Sequence, residues 1–398
     1  MVSKPLEGVK VVDLSQAWAG PLGSMLLGDF GAEILKVEPP RTGDHVRNWT
    51  PAGCQGESPH FLAANRNKKS ITLNLKTSEA IEIFFRLVKE ADVLLENFRP
   101  GVMKKLGIAY EVLRPMNPRL IYCSVSGFGQ TGPSRDDAAY DLIIQGMGGA
   151  MSVTGEEGGK PLKPGLAQAD VMGALGATIA ILAALHGRSK TGEGCYIDLA
   201  MLDIQLMAMG HQIVNYFVSG NIAKPLGTGH SILTPYETFP TQTYSINIAA
   251  VTPGHWADLC HVLGLPQLIE DPRFKNMEMR YRNKKELLLF LEEALQKKPA
   301  EEWLSLLKGK GIPCGPINDI PMAAREPQVL HRDMIIEVEN QKLGRIKIPG
   351  MPIRIYGMTG KDPVVSPPLL GEHNEQILCG RLGYSKEDLQ RLKEKGVI

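Results

Sequence analysis

A chain of 398 residues is long enough to bury a large core and to form two domains. Its 44 basic and 43 acidic side chains leave a formal charge of +1, so nothing global recruits nucleic acid or a membrane surface, and any anion site has to be local. Six scattered cysteines without a C-x-x-C pair argue against a zinc knuckle or a disulfide framework, and nine histidines without H-x-x-x-H spacing suggest no metal site.

The N-terminal MVSKPLEG lacks the apolar stretch of a signal peptide, and a cytoplasmic location is expected. Residues 9–15 then read as a β-branched strand, 20–31 as a helix between glycines and 32–38 as a second strand. Further strands are predicted at 70–75, 92–97 and 119–126, with an amphipathic helix at 79–89. This alternation predicts a parallel sheet covered by helices. After the first strand the chain reads SQAWAGPLG, not G-x-G-x-x-G, which argues against a dinucleotide-dependent dehydrogenase.

Asp170 opens a run of small and apolar residues with helical spacing that ends near His186. The run is short for a bilayer and reads as a buried helix. At a helix N-terminus, backbone N–H groups favour the charged carboxylate and keep it available as a nucleophile. The same position suits an ordinary helix cap.

Between residues 224 and 242 the composition turns to Gly, Pro, Thr and aromatics, marking a second region. A strand is expected at 244–251, helices at 256–263, 284–295 and 300–308, and a turn at 313–316. Strand and loop return after about residue 330, and Ser385 opens a last helix with a capping-box pattern. The predicted organisation is α/β: residues 1–224 and 331–398 form a large domain and 225–330 a small α+β one.

Four patches outside the Asp170 helix could carry chemistry. Basic residues bracket the strand within 65–76, and the turn carrying Arg99 is followed by Lys104 and Lys105. Either set could hold phosphates by charge, or be a solvated strand end. A glycine-rich turn spans 126–133, and Gly227 to His230 form a flexible loop.

Taken in order, GVKVVDLSQAWAGP, GDFGAEILKVEPP, NRNKKSITLNLK, ENFRPG, SGFGQTGP, the Asp170 helix, KTGEGCYIDLAM, GIPCGPIND and PPLLGEH make a pattern that runs nearly end to end. It resembles the class III CoA-transferases, the family of formyl-CoA transferase and carnitine CoA-transferase, and the related α-methylacyl-CoA racemase. The resemblance implies a large Rossmann-like domain holding both termini, a smaller inserted domain and a homodimer of interlocked subunits. It implies acyl-CoA and carboxylic acid substrates, with no permanently bound cofactor, no metal, and no nucleic-acid or membrane partner.

By the same resemblance Asp170 is the nucleophile, passing through an aspartyl anhydride and an aspartyl-CoA thioester. CoA contacts carry over to Leu73, Asn74, Leu75, Lys76, Asn97, Phe98 and Lys105, and to the stretch with Ala138, Tyr140 and Asp141; Arg99 joins them by its charge. The acyl pocket falls on Trp18 and on the loop with Gly227, Gly229 and His230. Lys105 and Pro39 stand where formyl-CoA transferase has arginines, leaving Arg41 or Arg47 for the phosphate end. Trp18 replaces a glutamine of the oxalate-specific enzyme, and with Trp49 and Tyr140 suggests an acceptor larger than oxalate. The racemase branch carries a His-Asp pair where this chain has Tyr140 and Asp141. Tyrosine, with an ordinary pKa of about 10, moves protons poorly at neutral pH, which favours transferase over racemase. A non-catalytic acyl-CoA-binding protein is the third reading.

Overall fold

The computed structural model describes residues 4–357 and 363–398. Six short strands form the main sheet, and all but the last are almost wholly buried, which is how parallel strands covered by helices read in sequence. They are β1 (Lys10–Asp13), β2 (Glu33–Glu38), β3 (Lys68–Thr72), β4 (Val93–Glu96), β5 (Ile121–Ser126) and β6 (Tyr196–Ala200). They pair in the order β3-β2-β1-β4-β5-β6, all parallel. The order reverses between β1 and β4, so the chain segments leaving these two strands diverge and open a crevice beyond their C-terminal ends.

Helices cover both faces: α1 (Ala19–Asp29), α2 (Ser78–Lys89), α3 (Asp141–Met147) and α4 (Gln168–Thr191). On one face, Ile83, Phe84 and Leu87 of α2 pack with Leu35, Val37 and Leu94, and the C-terminal Leu378, Leu389 and Ile398 join this core. On the other, Leu27 of α1 and Ala177 and Ile181 of α4 meet Val11, Leu95 and Val125. The capping box at Ser385 is formed, with Asp388 as its partner.

α4 differs from its expected span. It runs 24 residues, not the stretch from Asp170 to His186. By length and composition it is apolar enough to cross a membrane, which corrects the expectation of a run too short to do so. Its Ala169, Gly173, Ala174, Ala177 and Ile181 are buried, and a side chain at Gly23 of α1 would come within 3.2 Å of the Ala174 carbonyl. Small residues thus let α1 and α4 approach closely.

Two compact units are formed. The larger holds residues up to Ala150, Pro164–Phe217 and Gln328–Ile398; the smaller holds Met151–Lys163 and Val218–Pro327. Composition did not mark the 151–163 segment. The smaller unit is built on an antiparallel sheet of β7 (Tyr236–Phe239), β8 (Ile246–Ala249) and β9 (Cys314–Pro316), with Phe239, Ile248, Trp256, Leu291 and Trp303 in its core. Residues 313–316, expected as a turn, supply β9 because β8 offers them a free edge. β6 and β7 were not singled out as strands. Both are short and half exposed, so neither shows a clear period in sequence. A hairpin of β10 (Ile335–Asn340) and β11 (Gly344–Pro349) completes the strands.

Candidate active site

The segment leaving β1 is fixed from several directions. Ser15 N–H donates to Asp13 Oδ1 at 2.9 Å, and the buried Lys36 donates to the Ser15 carbonyl at 2.7 Å. Asn97, just past β4, clamps Gln16 from both sides: it accepts from Gln16 N–H at 2.8 Å and donates to the Gln16 carbonyl at 2.8 Å. Helix α1 then starts so close that a side chain on Gly20 would lie 2.3 Å from Ser15 Cβ, a place only glycine fits.

A buried ionic network lies under this segment. Lys68 donates to Asp13 Oδ2 at 3.1 Å, to the Pro21 carbonyl at 2.8 Å and to Asn65 at 2.8 Å. Burial works against the Asp13 charge, but Lys68 and Lys36 outweigh it and hold its pKa down at about 2. Burial pushes Lys68 down to about 8 despite the pull of Asp13.

Asp170 occupies the first turn of α4 and does not cap it. The N-cap residue is Ala167, which has no side chain for the purpose. The cap comes from Asp141 at the start of α3, whose Oδ1 accepts from Ala169 N–H at 2.9 Å and Asp170 N–H at 3.4 Å. Asp141 Oδ2 accepts from Gln145 at 2.7 Å. Burial first, and the Asp141 charge second, push Asp170 up to about 7. The expectation that the helix start keeps this acid ionised is therefore corrected: a helix end contributes less than lost hydration and a second carboxylate.

Asp170 faces a cavity of about 340 Å³ at the β1/β4 crevice, shared with Gln16, Trp18, His45, Asn97, Arg99 and Tyr140. Gln16 and Phe98 also line a neighbouring cavity of about 240 Å³, whose wall includes Leu73, Asn74, Leu75 and Lys76. Two of the expected groups are thus joined through Phe98. Gln16 and His45 were not singled out from sequence; only the position of Gln16 directly after β1 at the switch point could have signalled it.

Other predicted residues line neither of these cavities. Lys105 and Ala138 are exposed, and neither lines these two cavities. Arg47 is committed to Glu38, with bonds of 2.7 and 2.8 Å, and its guanidinium lies 3.6 Å from the Phe61 ring centre. Of the two arginines expected near the phosphates, only Arg41 is exposed and unpaired among the described residues. Trp49 does not line the Asp170 cavity but packs edge-on against His60, which meets Trp18 in the same manner. Gly227, Gly229 and His230 belong to the smaller unit, where Gly229 abuts the Glu237–Lys284 ion pair and His230 packs on Tyr236. That unit holds a cavity of about 530 Å³, larger than the one at Asp170, but its carboxylate, Glu237, is neutralised by Lys284.

Residues 6–374 match the family described as CoA-transferase family III. The chain belongs to CoA-transferase family III. It is 40% identical over 395 residues to succinyl-CoA:glutarate CoA-transferase of Homo sapiens, covering 99% of this chain and 90% of that one. It is also 40% identical over 354 residues to acetyl-CoA:oxalate CoA-transferase of Acetobacter aceti, covering 89% and 90%. A solved CAIB/BAIF family protein from Brucella suis superposes with a TM-score of 0.84 at 37% identity, covering 96% of this chain and 100% of that one. The enzyme is therefore a CoA-transferase working between acyl-CoA and acids.

Proposed function

We propose that the enzyme transfers CoA by covalent catalysis at Asp170. The observation that carries this reading is a half-buried carboxylate, raised to about 7 by burial and Asp141, that faces a cavity adjoining, through Phe98, the 73–76 wall expected to hold CoA. The Asp170 carboxylate attacks the thioester carbonyl, the C–S bond breaks, and CoA leaves as the thiolate with an aspartyl anhydride behind it. The thiolate attacks the aspartyl carbonyl, releasing the first acid and leaving an aspartyl-CoA thioester. The second carboxylate reverses these steps and departs as the new CoA ester. A carboxylate nucleophile keeps the thioester's energy in covalent intermediates, and burial protects them from water.

We infer further that the acceptor is a dicarboxylic acid. Glutarate and oxalate, named for the two relatives, are both dicarboxylates. In this chain Arg99 lines the Asp170 cavity and has no ion pair among the described residues, so a second carboxylate has a cation available. Tyr140 orients the thioester. A cytoplasmic location and a homodimer complete the proposal; the support for the dimer is the helix Gly210–Ser219, which buries none of its residues and exposes Val214, Tyr216 and Phe217.

Intact-protein mass spectrometry after brief mixing with a pool of acyl-CoAs tests the mechanism. An acyl or CoA adduct at Asp170, removed by hydroxylamine and missing in Asp170→Asn, is expected; full transfer by Asp170→Asn would overturn it. For the acceptor, glutarate should outcompete butyrate, and Arg99→Ala should raise KM for glutarate about tenfold while leaving butyrate unchanged.

A further inference from the structure

Ala17 holds a backbone conformation that its side chain disfavours. Its φ is +66°, in the left-handed region, although it is not glycine. It sits between Gln16 and Trp18 in the wall of the Asp170 cavity. Such a residue persists only where its surroundings over-determine it. Here Ala17 N–H donates to Asp44 Oδ1 at 3.0 Å.

Asp44 is fully buried, and its two carboxylate oxygens meet different neighbours. Oδ1 also accepts from Val46 N–H at 3.2 Å, starting the short 3₁₀ helix His45–Asn48. Oδ2 lies 3.0 Å from Lys36 Nζ, with both side chains wholly excluded from solvent. Its own N–H donates to Glu38 at 2.9 Å. One carboxylate oxygen therefore holds both Ala17 and the turn that carries His45. The two walls then meet, because His45 Nδ1 donates to Gln16 Oε1 at 3.0 Å.

We propose that Asp44 is a positioning residue for acid selection: it holds the left-handed turn at Ala17 and the His45 helix in fixed register, setting the width of the cavity in which Asp170 meets the acid. The inference rests on CoA transfer at Asp170 as proposed above. Selection between acids differing by one methylene needs a wall that does not yield, since a compliant wall accommodates either length. Asp44 touches no substrate and acts through the two segments it holds.

Asp44→Asn tests this with little change in volume. An amide cannot serve both neighbours: its oxygen goes to the buried Lys36 ammonium, and its NH2 then confronts the Ala17 and Val46 N–H groups. The readout is the ratio of kcat/KM between the preferred dicarboxylate and the homologue one methylene shorter. The ratio should fall about fivefold in Asp44→Asn, within the range a methylene contributes to selectivity. Adding Ala17→Gly should restore it to within about twofold, because glycine adopts the left-handed turn without being held there.

A residue that merely stabilises the fold would lower kcat/KM for both acids equally and would not be rescued by glycine; either result overturns the proposal. Should Asp44→Asn fail to fold, a folded double variant with native selectivity supports it, and a double variant that also fails to fold overturns it. Asp170 adduct formation is followed in every variant. Its absence in the unmutated enzyme would refute transfer at Asp170, whereas its presence with an unchanged ratio in Asp44→Asn would refute only the role of Asp44.

Discussion

Asp141 caps the helix that carries Asp170, and the same carboxylate is the charge that makes Asp170 harder to ionise. Its Oδ1 lies 2.9 Å from Ala169 N and 3.4 Å from Asp170 N, so removing its charge and removing the cap are separable changes. Asparagine at 141 retains an oxygen for Ala169 N–H and loses the charge, together with the acceptor that Oδ2 offers Gln145.

The first consequence is a pH profile. The attacking species is the carboxylate, and burial together with Asp141 raises Asp170 to about 7. The kcat/KM for the acyl-CoA donor should rise with pH through an apparent pKa near that value. In Asp141→Asn the profile should move to lower pH while remaining above the ordinary carboxylate range, because burial persists. An unmoved profile would remove Asp141 as a determinant.

Stability should respond in the opposite sense. Native Asp170 keeps its proton up to about 7, whereas the unfolded chain releases it near 4. The folded state thus binds more protons across that window, and its stability falls as pH rises through it. Asp170→Asn should raise the melting temperature at pH 8, by a stability gain of up to about 4 kcal/mol, and by much less at pH 5. Equal gains at both pH values would contradict a raised Asp170 pKa.

Lys68 and Asp13 form a buried pair whose breakage should be costly. Lys68→Met leaves Asp13 buried with one fewer cation and should destabilise the enzyme by about 3–5 kcal/mol in urea titrations. Adding Asp13→Asn removes the stranded charge and should recover part of the loss. A double variant less stable than the sum of the singles would show that the pair is not the unit that matters.

The exposed helix Gly210–Ser219 predicts an assembly effect. Phe217 is 79% and Val214 60% exposed, more apolar surface than one solvated helix ordinarily presents. Phe217→Glu should halve the mass measured by light scattering at micromolar concentration. A dimer that survives Phe217→Glu together with Val214→Glu would place the subunit contact elsewhere.

The amino-acid sequence by itself determined the family, the βα alternation and the position of Asp170 at a helix start. Each of these is written in short contiguous motifs, or in periodicity that one segment carries alone. What decided the chemistry of the site was tertiary. Asn97 read as a CoA contact, yet it spends its amide on Gln16, 81 residues away. Arg47 read as a candidate for the phosphate end of CoA and is committed to Glu38. The charge state of Asp170 followed from burial and from a carboxylate 29 residues earlier, against the helix-end effect expected locally. Local pattern specifies where the chain bends and which face is apolar; which polar atoms meet, and how much water they lose, depends on segments distant in sequence that only folding brings together.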